Sequence, residues 1–263
     1  MRKRSFAGVN RVPLPAVIGI FVLLATICTS PCQAVEPDRQ VHPPLSPKTV
    51  SHKLNRLNKD VTFLDLHTVP GSMTETSLGQ VVRSSVQFLP RWTRVMAMSE
   101  TQLDAMNHCN PGQGSCPEEM LFWKKILQEA RDLPFLEQLK SVNAYFNGWP
   151  YRRDIDAYGV SEYWASPLEF LQKSGDCEDY SIAKYFALKQ LGVPVEQMSI
   201  VLLIDAVSDS QHAVLVVSNG QDSYVLDNLS DLLLPQEKYA HYLPLYSVNE
   251  HYRWTYVTTS RLN

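Results

Sequence analysis

The sequence predicts an α+β protein, N-terminal helices packed on an antiparallel β-sheet, and three observations predict it. Apolar residues recur at helical spacing through most of residues 61–195. After Pro194 the apolar period switches to that of strands. Within the strand region Asn219-Gly220, between two apolar runs, is the strongest short hairpin signal. Helices followed by a run of strands is the α+β order. A chain of 263 residues, 44% hydrophobic and 19% charged, has apolar material for one ordinary core.

The first 34 residues differ in kind. Arg2, Lys3, Arg4 and Arg11 precede the apolar run "LPAVIGIFVLLATI", Leu14 to Ile27, and "CTSPCQA" follows it, ending at Ala34. A basic region, an apolar region and a small-residue exit make a cleaved export signal, which predicts a periplasmic protein. The alternative is an uncleaved anchor, but the run falls short of the roughly 20 apolar residues a spanning helix needs. Residues 35–60, rich in Pro and polar side chains, predict a linker or N-terminal arm. One folded domain is then expected over 61–263. Removing residues 1–34 takes away four basic and no acidic side chains, leaving 20 Lys+Arg against 27 Asp+Glu, a net charge of −7. That charge disfavours nucleic acid or an anionic membrane surface as the main partner.

Each element has a local reason. "PEEMLFWKKILQEARDL" opens on Pro117 and early acids, as helices do. In "PFLEQLKSVNAYFNG", Phe135, Leu139, Val142 and Phe146 form a core-facing stripe. "SPLEFLQKSGDCEDYSIAKYFALKQLGVP" holds two helices divided at Gly175. Ser166 and Glu169 suit a capping box around Pro167, Asp176 suits the next N-cap, and Gly192 with Pro194 ends the second helix. "MSIVLLIDAV", "HAVLVVSN", "YVLDNL", "LPLYSVNE" and "RWTYVTT" are the expected strands.

Cysteine usage points to chemistry. Cys28 and Cys32 leave with the signal, and Cys109 and Cys116 can close the loop "CNPGQGSC" in an oxidising compartment. Cys177 remains as the odd thiol, either reactive or buried and inert. It falls in the first turn of a helix, where unpaired N–H groups and the macrodipole favour an anion. A nucleophilic cysteine needs a base, usually a histidine held by a third group. In a hairpin with a two-residue turn at 219–220, His212 lies opposite Asp227 on one face, so the carboxylate can orient the imidazole. The bland alternative is that His212 only starts a strand.

The order of cysteine on a helix, then histidine and aspartate on successive strands, is the plan of papain-like and transglutaminase-like enzymes. "YWASPLEFL", "GDCEDYSIAKYFALKQLGVP", "QHAVLVV" and "VLDN" resemble the bacterial transglutaminase-like cysteine proteinases, in particular the periplasmic LapG-type proteases, over most of residues 80–250. The resemblance implies Cys177 as nucleophile, His212 as general base and then acid, and Asp227 as the orienting carboxylate. It implies an endopeptidase that cuts a large surface adhesin near its N-terminus after two alanines and so releases cells from biofilms. It also implies restraint by an inner-membrane cyclic di-GMP receptor of the LapD type, and a requirement for Ca²⁺.

Calcium would explain why three carboxylates crowd the thiol. Asp176 and Glu178 match the family's ligands, with Asp179 beside them, and Ca²⁺ takes six to eight oxygen ligands. Three acids are too few, and "RRDIDAYGVSEYW", with Asp154, Asp156 and Glu162, is the nearest further supply. On residue types alone, without the resemblance, Asp176 and Asp179 read as a helix cap and Glu178 as a solvated helix-start acid. Two other functions stay open at this level: acyl transfer through the same thioester, and a non-catalytic binding module.

Overall fold

The computed structural model describes residues 74–76, 79–110 and 116–257. The expected signal (1–34) and linker (35–60) lie outside the described residues. Two strands come first, β1 (Thr74–Thr76) and β2 (Gly79–Ser85). Six helices follow: α1 (Pro90–His108), α2 (Glu118–Ala130), α3 (Phe135–Asn147), the single turn α4 (Asp154–Ala157), α5 (Pro167–Lys173) and α6 (Cys177–Gln190). The chain then enters β3 (Met198–Asp205), β4 (Ser210–Ser218), β5 (Ser223–Asp227), β6 (Ser230–Pro235), β7 (Tyr242–Val248) and β8 (Tyr252–Val257). The α+β expectation holds, with one antiparallel sheet in the order β1-β2-β8-β7-β3-β4-β5-β6.

Two elements depart from the local reading. Residues 79–85 form a strand inside the stretch expected to be helical, because β2 pairs with β8 from the far end of the chain. β6, "SDLLLP", is too short for its period to register, and it forms because the turn after β5 returns the chain alongside.

The sheet's alternation separates two cores. Ile200, Leu215, Val217 and Leu226 join the helical layer, where Trp92, Trp123, Trp164, Phe146 and Phe170 are buried. Val201, Leu203, Val214, Val216 and Val225 pack on the opposite face with Tyr239 and Tyr242. Adjacent residues thus point to opposite faces, as the pleat requires. Of the stripe on α3, Leu139, Val142 and Phe146 are fully buried and Phe135 packs at the margin. α6 is enclosed almost all round by α3, α5 and strands β3 to β5, which explains why its sequence carries little amphipathic pattern. Cys109 and Cys116 are joined as a disulfide, with Cα atoms 5.4 Å apart.

The hairpin differs from the expected register. Ser218 pairs with Ser223 and Leu215 with Leu226, so the loop has four residues, Asn219 to Asp222. Asn219 Oδ1 accepts from the N–H groups of Gln221 and Asp222, both at 2.8 Å, and Gly220 supplies a φ of +91°. The wider loop slides the pairing by two residues. Because the side-chain period is also two, every side chain keeps its face.

Candidate active site

Cys177 reaches its position through the loop before α6. Gly175 approaches Asp179 so closely that a Cβ there would overlap the carboxylate. Ser174, just before it, sits at φ +63°, a left-handed conformation that costs a non-glycine residue energy. Asp176 is the N-cap of α6, and its N–H donates to Asp179 Oδ2 at 3.2 Å. Asp179 Oδ1 accepts from the Ala165 N–H at 2.6 Å, which ties the α6 start to the segment before α5. Cys177 is the free cysteine among the described residues, half-buried at the first helical position.

His212 and Asp227 meet although they are not directly paired across the ladder. His212 Nε2 lies 3.0 Å from Asp227 Oδ1, both buried. With Nε2 held by the carboxylate, Nδ1 is the ring nitrogen left for a reacting thiol. Asp227 Oδ1 also accepts from the Leu229 N–H at 2.9 Å, and Oδ2 from the Tyr242 hydroxyl at 2.6 Å. Tyr242 packs edge-on against the His212 ring, centroids 5.7 Å apart. Burial pushes the Asp227 carboxyl upward, but the bonds from His212, Tyr242 and Leu229 outweigh it and hold the group below its ordinary value.

Cys177 and His212 line one cleft of about 450 Å³, together with Asp154, Asp176 and Glu178. Leu202, Leu203, Leu245 and Tyr246 also line it. These flank a register shift between β3 and β7, where Pro244 pairs with Leu203 but Tyr246 with Leu202. Such an irregularity re-aims side chains that regular pleating would turn away. The other described histidines lie elsewhere: His108 beside Asp104, His251 beside Glu196, and His241 against Tyr242 outside the cleft lining. His42, His52 and His67 lie outside the described residues.

The acids beside the thiol divide into two overlapping groups. Oxygens of Asp176 and Glu178 lie with the Cys177 sulfur, and those of Asp154, Asp176 and Asp179 lie together, each set within 4.8 Å. Asp156 is not among them, since it pairs with Arg153 at 2.9 Å, and Glu162 pairs with Arg91 at 2.8 Å. Asp154 accepts the Tyr163 N–H through Oδ2. Its Oδ1, and Asp176 Oδ1, are buried with no hydrogen-bond partner among the described residues. Buried carboxylate oxygens without donors are costly unless a cation satisfies them. The donor set is all oxygen, as Ca²⁺ requires. Asp154 therefore joins Asp176, Glu178 and Asp179 as the acids gathered where an ion could sit, and Asp179 also braces the loop through the Ala165 and Asp176 N–H groups.

The same crowding governs the thiol. Burial raises the Cys177 pKa, the charges of Glu178 and Asp176 raise it further, and the Ala213 N–H opposes them. The thiol accordingly donates to Glu178 Oε2 at 3.3 Å. Burial also raises Asp176 and Glu178, which lie too close to ionise independently.

Helices packed on an antiparallel sheet, with a cysteine opening the central helix and a His–Asp pair on adjoining strands, define a transglutaminase-like protein. The chain belongs to the bacterial transglutaminase-like cysteine proteinase (BTLCP) family, whose model matches residues 97–261. Among solved structures, calcium-bound Legionella pneumophila LapG is 29% identical over 63% of this chain and 92% of its own, with a TM-score of 0.50. The EGTA-treated form of the same protein is 31% identical over 56% of this chain and 83% of its own, with a TM-score of 0.49. Comparison with curated proteins gives no match.

Tyr242 was not legible in the sequence as a site residue. It lies on β7, outside the motifs that carry Cys177, His212 and Asp227, and only the fold brings its hydroxyl to Asp227.

Proposed function

We propose that the protein is an exported, calcium-dependent cysteine endopeptidase that cuts a large surface adhesin near its N-terminus and so promotes biofilm dispersal. The observation that carries the proteolytic step is Cys177, at the start of α6, in one cleft with the bonded His212–Asp227 pair. Family membership and the likeness to calcium-bound LapG support it. The basic, apolar and small-residue N-terminus supports periplasmic location. The resemblance to LapG-type proteases supports a dialanine cleavage site and restraint by an inner-membrane cyclic di-GMP receptor.

Cys177 Sγ attacks the scissile carbonyl carbon while its proton passes to His212 Nδ1. Asp227 holds the ring through Nε2 and stabilises the imidazolium. The Cys177 N–H, at a helix start without an intrahelical acceptor, is placed to donate to the developing oxyanion. His212 then gives the proton to the departing amine, leaving a thioester on Cys177. Water loses a proton to Nδ1 and adds to the thioester; as the C–S bond breaks the sulfur takes that proton back from the imidazolium, and the new carboxylic acid gives its own proton to solvent. Asp154, Asp176 and Glu178 would hold Ca²⁺, whose charge offsets the carboxylates that otherwise disfavour the thiolate.

The test is cleavage of a recombinant N-terminal adhesin fragment. Cys177→Ala and His212→Ala should stay folded and produce no cut, and a thiol alkylating reagent should block the parent. Normal cutting by Cys177→Ala sinks the assignment.

A further inference from the structure

Lys184 is a buried amine that the reaction above does not use. It lies two helical turns beyond Cys177 on α6 and has no exposed surface. Its Nζ donates to Asn143 Oδ1 at 2.8 Å and to Asn147 Oδ1 at 2.7 Å, both on α3. Each amide then points its Nδ2 at the turn between β5 and β6. Asn143 donates to the Ser230 carbonyl at 2.9 Å. Asn147 donates to the Asp227 carbonyl at 2.9 Å, the Ser230 carbonyl at 3.1 Å and Asp231 Oδ1 at 2.9 Å.

The polarity of this chain of bonds leaves one arrangement. A lysine offers donors, so each asparagine must turn its oxygen inward and its NH₂ toward the main-chain carbonyls, which only accept. Either protonation state of the lysine keeps two donors for the two amides. The turn needs outside support, because the β4–β5 ladder ends at Leu215–Leu226 and the β5–β6 register shifts between Val225 and Asp227.

We infer that Lys184, acting through Asn143 and Asn147, is a positioning residue that fixes the Asp227 turn to the helix carrying Cys177 and thereby sets the alignment of His212 with the thiol. This rests on the triad reading given above. Nucleophile and orienting carboxylate come from different layers of the fold, and this relay spans them. The Asp227 side chain is held from the sheet by His212, Tyr242 and Leu229, and its backbone from the helices by Asn147.

The readout is the rate of Cys177 alkylation by iodoacetamide against pH, measured on the exported chain with saturating Ca²⁺, beside kcat and KM on an adhesin fragment. A thiol paired with an aligned imidazole reacts at lower pH than a lone thiol. Lys184→Met should lower kcat roughly ten- to a hundredfold with KM little changed, the penalty for small misplacement of reacting groups. Its alkylation profile should move to higher pH. Asn147→Asp keeps the acceptor for Lys184 but loses the donors to the turn, and should give the same shift even if Lys184→Met does not fold. In an Asp227→Asn background neither substitution should add a further shift.

A folded Lys184→Met or Asn147→Asp protein with the parent's profile overturns the inference, as do effects that add fully to those of Asp227→Asn. Should Asp227→Asn itself match the parent, the triad reading falls with it, a result separable because that arm leaves Lys184 intact.

Discussion

Asp227 receives three bonds through its carboxylate, from His212, Tyr242 and Leu229, and Tyr242 supplies the shortest. A hydrogen bond to a charged group contributes about 1.5–3 kcal/mol, and roughly tenfold in rate follows each 1.4 kcal/mol. Tyr242→Phe keeps the ring against His212 but drops the donor. Its kcat should fall about tenfold and its melting temperature by several degrees, and an undiminished kcat would show the hydroxyl to be idle. Lys184 makes a second prediction, about stability. Burial lowers its pKa from 10.5 to about 7, with Asp227 and Asp231 opposing the shift. Between those values the unfolded chain binds the proton and the folded chain does not, so stability rises with pH across that window and is flat below it. Urea unfolding at constant Ca²⁺ should therefore show the parent gaining on Lys184→Met from about pH 7 to about pH 10. Parallel curves would mean that the buried lysine titrates normally.

Among the elements, the start of α6 was the most legible, because its signals are local. Ser166, Glu169, Asp176, Gly192 and Pro194 mark their helix ends through bonds within a few residues. The His212–Asp227 contact was legible for a weaker reason. The Asn219-Gly220 turn has four residues rather than two, and the contact survives as a diagonal because the slip was even. An odd slip would have placed the two side chains on opposite faces. β2, Tyr242 and the amides around Lys184 were not legible, since each is defined by partners outside its own segment, and β6 was too short for its period to register. Asp154 was visible as a supply of oxygen, but only the fold shows it beside Asp176 while Asp156 turns to Arg153. Gly175 carries a prediction at this scale. Gly175→Ala forces a Cβ into Asp179, so the α6 start must shift, at a cost of about 1–3 kcal/mol for overpacking. A lower melting temperature and weakened cleavage should appear together. A fully active, equally stable Gly175→Ala protein would show that the close approach is relaxed at no cost.

In the whole molecule, the cleft is where two layers with different chemistry meet. The sheet supplies an imidazole held by a carboxylate, and the helical layer supplies a thiol surrounded by acids. Left to themselves, those acids raise the thiol's pKa and leave two buried oxygens without donors. A bound Ca²⁺ would resolve both difficulties at once, which couples the stability of the helical corner to catalysis. Chelation with EGTA should therefore stop cleavage reversibly and lower the melting temperature. Ca²⁺ should restore both better than Mg²⁺, whose small octahedral shell and reluctant dehydration suit an all-protein oxygen site poorly. At a hundredfold excess over Kd, binding adds about 2.7 kcal/mol to stability, a shift that thermal melts resolve. Asp154→Asn and Asp176→Asn should lose most of this calcium-dependent gain. Asp156→Asn, whose parent side chain pairs with Arg153, should keep it. Titration calorimetry of the chelated protein decides the matter. If no heat accompanies added Ca²⁺ and the chelated protein cuts at full rate, the acids around Cys177 serve only to cap α6 and brace its loop.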